Sequence, residues 1–202
     1  MFKQKPEVPI LRYNDSDATL VSKRTCYQGF FRLDEYKVSH KLFSGAQSPI
    51  IKREIFERGD AVVLIPYDPD KDAVVMIEQF RPGAMRFGGT PWLLEFVAGM
   101  FSENESPQDV AVREAKEEVA ILVKEKSFLH KSIAGASIVW DLFYYLVTSF
   151  EEIADGQQTE SGEIIYPEWK SFDEVLSMCL NGSIQEDRSV AVILKYLLSS
   201  KK

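Results

Sequence analysis

The chain has 202 residues, with 45% hydrophobic and 27% charged residues and a formal net charge of -7. That acidity, with no lysine or arginine run, excludes a non-specific nucleic-acid binder, which needs a basic patch to meet phosphate. The most apolar stretch, Ile138 to Val147, is interrupted by Asp141 and too short to span a bilayer, and the N-terminus lacks a secretory segment. The expectation is one compact domain, alone or with a smaller appendage, in the cytoplasm and off the membrane, with Cys26 and Cys179 reduced and unpaired. His40 and His130 are wrongly spaced to share a zinc site with those cysteines and read as surface or turn residues.

Leu11 to Asp17 is polar and turn-like. Thr25 to Phe43 is rich in aromatic and β-branched residues and predicts two strands, with turn punctuation at Gly29 and Asp34 and a further turn at Gly45. A second region begins near Ile55. Ala61 to Ile65 predicts a strand that Pro66 breaks, and Ala73 to Phe80 predicts its hairpin partner across a long turn. Pro91 to Val97 predicts another strand, ended by Ala98-Gly99. The clearest helix follows: Ser106 caps it, Pro107 takes the first position, Asp109 completes a capping box, and Val110, Ala111, Ala115 and Val119 recur at core-facing spacing. Ile138 to Phe150 predicts one long strand, Glu151 to Gly162 a polar loop, and Ile164 to Trp169 a strand. A capped helix from Ser171, with Glu174 in a second capping box, stops at Asn181-Gly182, and an amphipathic helix runs from Arg188 to Leu198. This order of elements predicts an α+β fold.

The chemistry concentrates in Gly99 to Ile121, GMFSENESPQDVAVREAKEEVAI. Glu114, Glu117 and Glu118 stand at i, i+3 and i+4, so a helix projects all three carboxylates from one side, where they repel one another. A hard divalent cation offsets that repulsion, and magnesium prefers such oxygens and keeps sites for phosphate. Glu105 is spaced to reach back to Arg113 and pin the loop to the helix, and Gly99 reads as the sharp turn between strand and loop. Acid-rich helix faces are most often only solvated. The glycine, the lone acid and the Arg-Glu…Glu-Glu group in fixed register, after a strand and through a capped helix, are what that bland reading leaves unexplained.

The spacing resembles the Nudix box, G-x5-E-x7-R-E-U-x-E-E-x-G-U with U a bulky aliphatic residue: Gly99, Glu105, Arg113, Glu114, Glu117, Glu118 and Ile121 fall in register, while Ala115 is smaller than usual and Ala120 replaces the last glycine. Beyond the box, Lys52-Arg53-Glu54-Ile55-Phe56-Glu57-Arg58-Gly59, Glu78-Gln79-Phe80-Arg81, Pro91-Trp92-Leu93-Leu94-Glu95-Phe96-Val97-Ala98-Gly99-Met100 and Tyr27-Gln28-Gly29-Phe30-Phe31 are similar to segments of bacterial ADP-ribose pyrophosphatases. One segment departs from that branch. Where a Ser-Pro-Gly-like stretch is usual, Ser132 to Ser137 has no proline, and Trp140 follows, either re-aiming the ribose end of a pocket or packing in a core.

The resemblance implies a Nudix α/β/α sandwich, residues 56–202, with a small N-terminal β domain, residues 1–55, that serves dimerisation and substrate contacts in an exchanged homodimer. It implies Mg2+, with Mn2+ as substitute, held by Glu114, Glu118 and the Ala98 carbonyl with Glu117 assisting. Phe30, Arg53, Glu54 and Arg81 are implied to bind the nucleotide, and Glu160 or Glu163, in the polar loop, to act as general base, with Glu160 favoured. The implied reaction is hydrolysis of the ADP-ribose diphosphate to AMP and ribose 5-phosphate. Alternatives are another nucleoside-diphosphate sugar as substrate, or a nucleotide-binding module without hydrolysis.

Overall fold

The structure, a computed structural model, describes residues 11–133, 135, 137–153 and 165–200. The chain forms two compact units, one within residues 1–58 and 134–140, the other within 59–133 and 141–202.

The first unit is a sheet in the order β1-β2-β3-β9, built from β1 (Ala18–Gln28), β2 (Arg32–His40), β3 (Ile51–Glu57) and β9 (Ile138–Val139). The first three strands run antiparallel, and β9 joins β3 in parallel. Asp34 lies inside β2 and not at a turn. Its buried carboxylate accepts from Thr25 Oγ1 at 2.8 Å and Arg32 Nε at 3.0 Å and pairs with Lys23 Nζ at 3.0 Å, which satisfies an acid that would otherwise break a strand. The turn falls at Gly29 to Phe31. Every residue of the edge strand β1 is exposed. Trp140 is buried, with the Arg58 guanidinium carbon 4.1 Å from its ring centroid, the interior-packing reading of that residue.

The second unit carries β4 (Ala61–Asp68), β5 (Ala73–Phe80), β6 (Trp92–Glu95), β7 (Val97–Met100), β8 (Ile121–Ile133), β10 (Asp141–Glu152) and β11 (Ile165–Ser171), with helices α1 (Pro107–Val119), α2 (Phe172–Leu180) and α3 (Asp187–Ser200). Among the described residues the strands run β11-β5-β4-β10-β8, with β6 on β5 and β7 on β4. The apolar runs of β4 and β5 are buried on both faces, as continuous hydrophobic strands must be. Side chains of one parity, Val62, Leu64, Val75, Ile77 and Val147, meet Val110, Ala111, Ala115 and Val119 of α1. The opposite parity, Ile65, Val74 and Leu146, lines a small apolar cavity with Phe172 of α2 and Val192, Ile193 and Tyr196 of α3. Helices therefore cover both faces, and the fold is α+β, an α/β/α sandwich.

Several elements differ from the sequence expectation. Pro66 stays in register opposite Val147, so β4 continues to Asp68, whose carboxylate accepts from the Asp70 and Lys71 amides to start the turn. The β4–β5 hairpin pairs only at Tyr67–Val74 and Asp68–Ala73, because the rest of β4 is taken by β10 and β7. The stretch from Trp92 is two strands that part at Phe96, one for each partner, and Ala98 and Gly99 lie within the second. The long strand from Ile138 divides at Trp140, since β9 joins the first unit. β8 has no counterpart in the sequence expectation; it pairs along almost the whole of β10 and places His130 in a strand, stacked on Tyr144. Ser171 accepts from the Glu174 amide, but the Glu174 carboxylate faces Lys170 at 3.8 Å, so the second capping box is half made. Cys26 and Cys179 are free thiols, and no helix among the described residues is long and apolar enough to cross a membrane.

Helix α1 has both halves of its capping box, with Ser106 Oγ accepting from the Asp109 amide and Asp109 accepting from the Ser106 amide. Such a cap stabilises a helix by about 1 kcal/mol. Its other end is strained: Ala120 sits at φ 55°, ψ 41° in the left-handed region. A Cβ there costs roughly 1–2 kcal/mol, offset in part by the larger entropy that glycine loses on folding. Ala120→Gly is expected to raise the unfolding free energy by about 1 kcal/mol, read as a higher urea midpoint at unchanged slope. A lower midpoint would refute the strain account.

Candidate active site

The end of strand β7, the loop after it and the middle of α1 converge on Arg113. Its guanidinium makes five hydrogen bonds, matching its five N–H groups: Nε to Glu105 Oε1 at 2.8 Å, Nη1 to Glu114 at 2.6 Å and Glu117 at 3.0 Å, and Nη2 to the Met100 carbonyl at 3.0 Å and Glu105 Oε2 at 3.1 Å. The Ser102 amide donates to Glu105 at 2.8 Å and closes the loop. Arg113, followed by the Ser102 amide, pulls the Glu105 carboxyl down to about 2.

Glu114 and Glu118 are both buried to 8% exposure. Burial, and next the neighbouring Glu114 charge, push the Glu118 carboxyl up to about 8, against the Ala98 amide that donates to it at 3.3 Å and the Arg81 charge. Burial also raises Glu114, with the Arg113 charge opposing. Gly99 serves this packing. It has no left-handed φ and makes no turn. A Cβ at Gly99 would fall inside the Glu114 side chain, on Cγ as well as on the carboxylate. The expectation of a turn glycine is corrected to one of close approach.

Two adjacent buried acids that resist ionising fit a divalent cation, whose charge reverses that cost. Among the described residues no group of three His, Cys, Asp or Glu side chains is arranged to hold a metal. Carboxylate oxygens suit magnesium, a hard ion that prefers oxygen donors and keeps several waters. Glu117 is more exposed and turned to Arg113.

Arg81 binds Glu95 through both carboxylate oxygens, at 2.7 and 3.1 Å. Glu95 is fully buried and also accepts from Arg188 of α3. The sequence reading assigned Glu95, Glu186, Arg188 and Ser189 no role; a lone acid in the apolar Leu93 to Val97 run was the available signal, and its partner stands far off in sequence. The remaining site candidates lie elsewhere. Phe30, Arg53 and Glu54 belong to the first unit. Phe30 is 87% exposed, which excludes a core role in the chain alone, and packs edge-on to Phe31. Arg53 donates to the Lys52 carbonyl, Glu54 stands opposite Glu35, and both line a depression of about 670 Å³ with Leu33, Phe56 and Ile138. Glu160 and Glu163 lie outside the described residues.

A family model for the NUDIX domain matches residues 57–191. The chain belongs to the NUDIX domain family. This NUDIX chain is 50% identical over 120 residues to the ADP-ribose pyrophosphatase of Escherichia coli, a match spanning 59% of the chain and 57% of that relative. It is 41% identical over 143 residues to the ADP-ribose pyrophosphatase of Haemophilus influenzae, spanning 69% and 63%. The chain thus aligns with less than two thirds of the length of these relatives. A GDP-mannose pyrophosphatase of Yersinia pestis is 28% identical over 173 residues, 84% of the chain and 85% of that protein. Among solved structures, one described as an ADP compounds hydrolase shares the fold at a TM-score of 0.71 and 17% identity, covering 92% of this chain and 96% of the other.

The Glu118 carboxyl links this site to stability. With its folded value raised from 4.5 to about 8, the native chain holds a proton that the unfolded chain releases, so Glu118 favours folding below pH 4.5 and that contribution is lost as pH rises through 8. With a chelator present, Glu118→Gln is expected to match wild type near pH 4 and to exceed it by on the order of 3 kcal/mol above pH 8, by urea denaturation. Equal stability at both pH values would contradict the burial argument.

Proposed function

We propose that this NUDIX-family protein is a metal-dependent hydrolase that cleaves the diphosphate of ADP-ribose to AMP and ribose 5-phosphate. The observation that carries the reading is the buried Glu114–Glu118 pair packed on Gly99, a site whose charge calls for a divalent ion. Identity of 50% to an ADP-ribose pyrophosphatase supports the choice of substrate. In this reading Glu114, Glu118 and the Ala98 carbonyl would hold Mg2+, or Mn2+ in its place, with Glu117 assisting. The bound ion supplies positive charge for the diphosphate oxygens and lowers the pKa of a water. Arg113 holds the loop and the carboxylates in register. Arg81 binds diphosphate oxygens, Phe30 stacks on the base, and Arg53 and Glu54 hold the nucleotide by charge and hydrogen bonds. Glu160 takes the proton of the attacking water, with Glu163 as the alternative base. The water oxygen bonds to one phosphorus, the bond from that phosphorus to the bridging oxygen breaks, and the electron pair leaves with the other phosphate.

The first unit is proposed to exchange with a second copy in a homodimer. The wholly exposed edge strand β1, with Leu20, Val21 and Tyr27, and the exposed Phe30 and Ile138 support a partner of this chain's own kind. A monomeric mass by sedimentation at working concentration would remove this part of the proposal. A second substrate reading rests on the relatives named GDP-mannose pyrophosphatase, which match more of the chain at lower identity.

Purified protein with Mg2+ is expected to convert ADP-ribose to AMP and ribose 5-phosphate faster than it cleaves GDP-mannose or other nucleotide sugars. Glu160→Gln is expected to lower kcat by roughly 100-fold or more, with Glu163→Gln within a few-fold of wild type; the reverse order would exchange the two roles. Tight binding of a nucleotide sugar without product would mark a non-hydrolytic module. In a calorimetric titration, Gly99→Ala is expected to displace Glu114 and weaken Mg2+ binding by roughly 10- to 100-fold; unchanged affinity would exclude Glu114 as a ligand.

A further inference from the structure

Glu95 has no place in the box, yet it is fully buried at the end of β6 and held by two guanidinium groups. Arg81 reaches both of its oxygens. Arg188, in the first turn of α3, donates through Nη2 to Oε2 at 2.7 Å. Arg188 is itself buried and donates through Nε to Glu186. The other Glu186 oxygen accepts from the Ser189 amide at 2.8 Å and Ser189 Oγ at 2.9 Å. Ser189 Oγ in turn accepts from the Phe96 amide at 3.0 Å.

Two consequences follow from this arrangement. A bidentate carboxylate fixes both the place and the plane of a guanidinium, so whatever holds Glu95 also orients Arg81. Phe96 stands between the β6 and β7 ladders, and its amide goes to α3; the bond therefore fixes where the chain passes from one sheet partner to the next, just before Ala98 and Gly99. Buried ions keep one geometry only while each is paired, and here two carboxylates meet two guanidiniums with Ser189 joining them to the backbone.

We propose that Arg188 is a positioning residue for diphosphate hydrolysis: through Glu95 it sets the plane of Arg81, while its neighbour Ser189 fixes the start of β7. The proposal rests on the reading of Arg81 as a diphosphate ligand. It makes the last described helix the far support of a site whose proposed metal-binding carboxylates come from α1.

The test uses the full chain carrying Arg188→Met and, since loss of a buried partner can unfold a protein, also the milder Arg188→Lys. The first readout is the 1H–15N spectrum of arginine Nε–H groups, with the Arg81 signal assigned by its loss in Arg81→Lys. The Arg81 signal is expected to shift or broaden in both Arg188 variants while the Arg113 signal stays. The second is kinetics with ADP-ribose and Mg2+. Arg188→Met is expected to raise KM about tenfold with kcat within about threefold, and to add less than about twofold to KM in an Arg81→Met background, since residues acting through one another do not add. An unmoved Arg81 signal overturns the proposal, as do KM effects that multiply. Wild-type protein that hydrolyses no nucleotide sugar overturns the functional reading instead, and the spectrum then still decides whether Arg188 orients Arg81.

Discussion

The guanidinium of Arg113 is the interaction on which the site's shape depends. One planar cation satisfies Glu105, Glu114, Glu117 and the Met100 carbonyl at once. A lysine in its place would offer a point charge with three donors and no fixed plane. The bonds tie together three pieces of chain, the end of β7, the loop and α1, so carboxylates that would repel one another on an isolated helix are held at set positions. The cation count is nonetheless short. Three acids lean on one arginine, and Glu118 adds a fourth carboxyl beside them. That local deficit of positive charge gives the site its chemical character, in a chain whose formal net charge is -7.

Burial sharpens the effect. Glu114 and Glu118 sit where water does not repay their ionisation, so each is raised, and Gly99 lets Glu114 come closer to the strand than any side chain would permit. The arrangement costs the metal-free fold stability as the pH rises. The left-handed Ala120 directly after the same helix adds a second local cost, borne by the backbone where the family pattern has glycine. Strain and buried charge thus collect around one helix, while the apolar strands β4 and β5, buried on both faces, supply the stability that tolerates them.

The second unit's sandwich explains why a site built on α1 involves α3 at all. The two helices cover opposite faces of the strands, and β6 and β7 carry the contact across: Glu95 and Phe96 face the first turn of α3, and Ala98 and Gly99 face α1. Parting one short apolar run between two strand partners is what lets consecutive residues serve opposite layers.

What the sequence determined by itself was local in origin. The box register, the Ser106 cap and the core stripe of α1 depend on residues within two turns of each other, and spacing along the chain is then spacing in space. The strands β4 and β5 were legible for the same reason, as continuous apolar runs. The tertiary structure decided the rest. That Asp34 is buried in a strand, that Gly99 yields room and not a turn, that the run at Trp92 divides, that Ile138 and Val139 join the first unit, and that Glu95 meets Arg188 all depend on partners distant in sequence. Composition near a residue carries no record of the charge or strand that will lie against it. Only packing, which must satisfy each buried polar group with whatever the fold brings near, selects that partner.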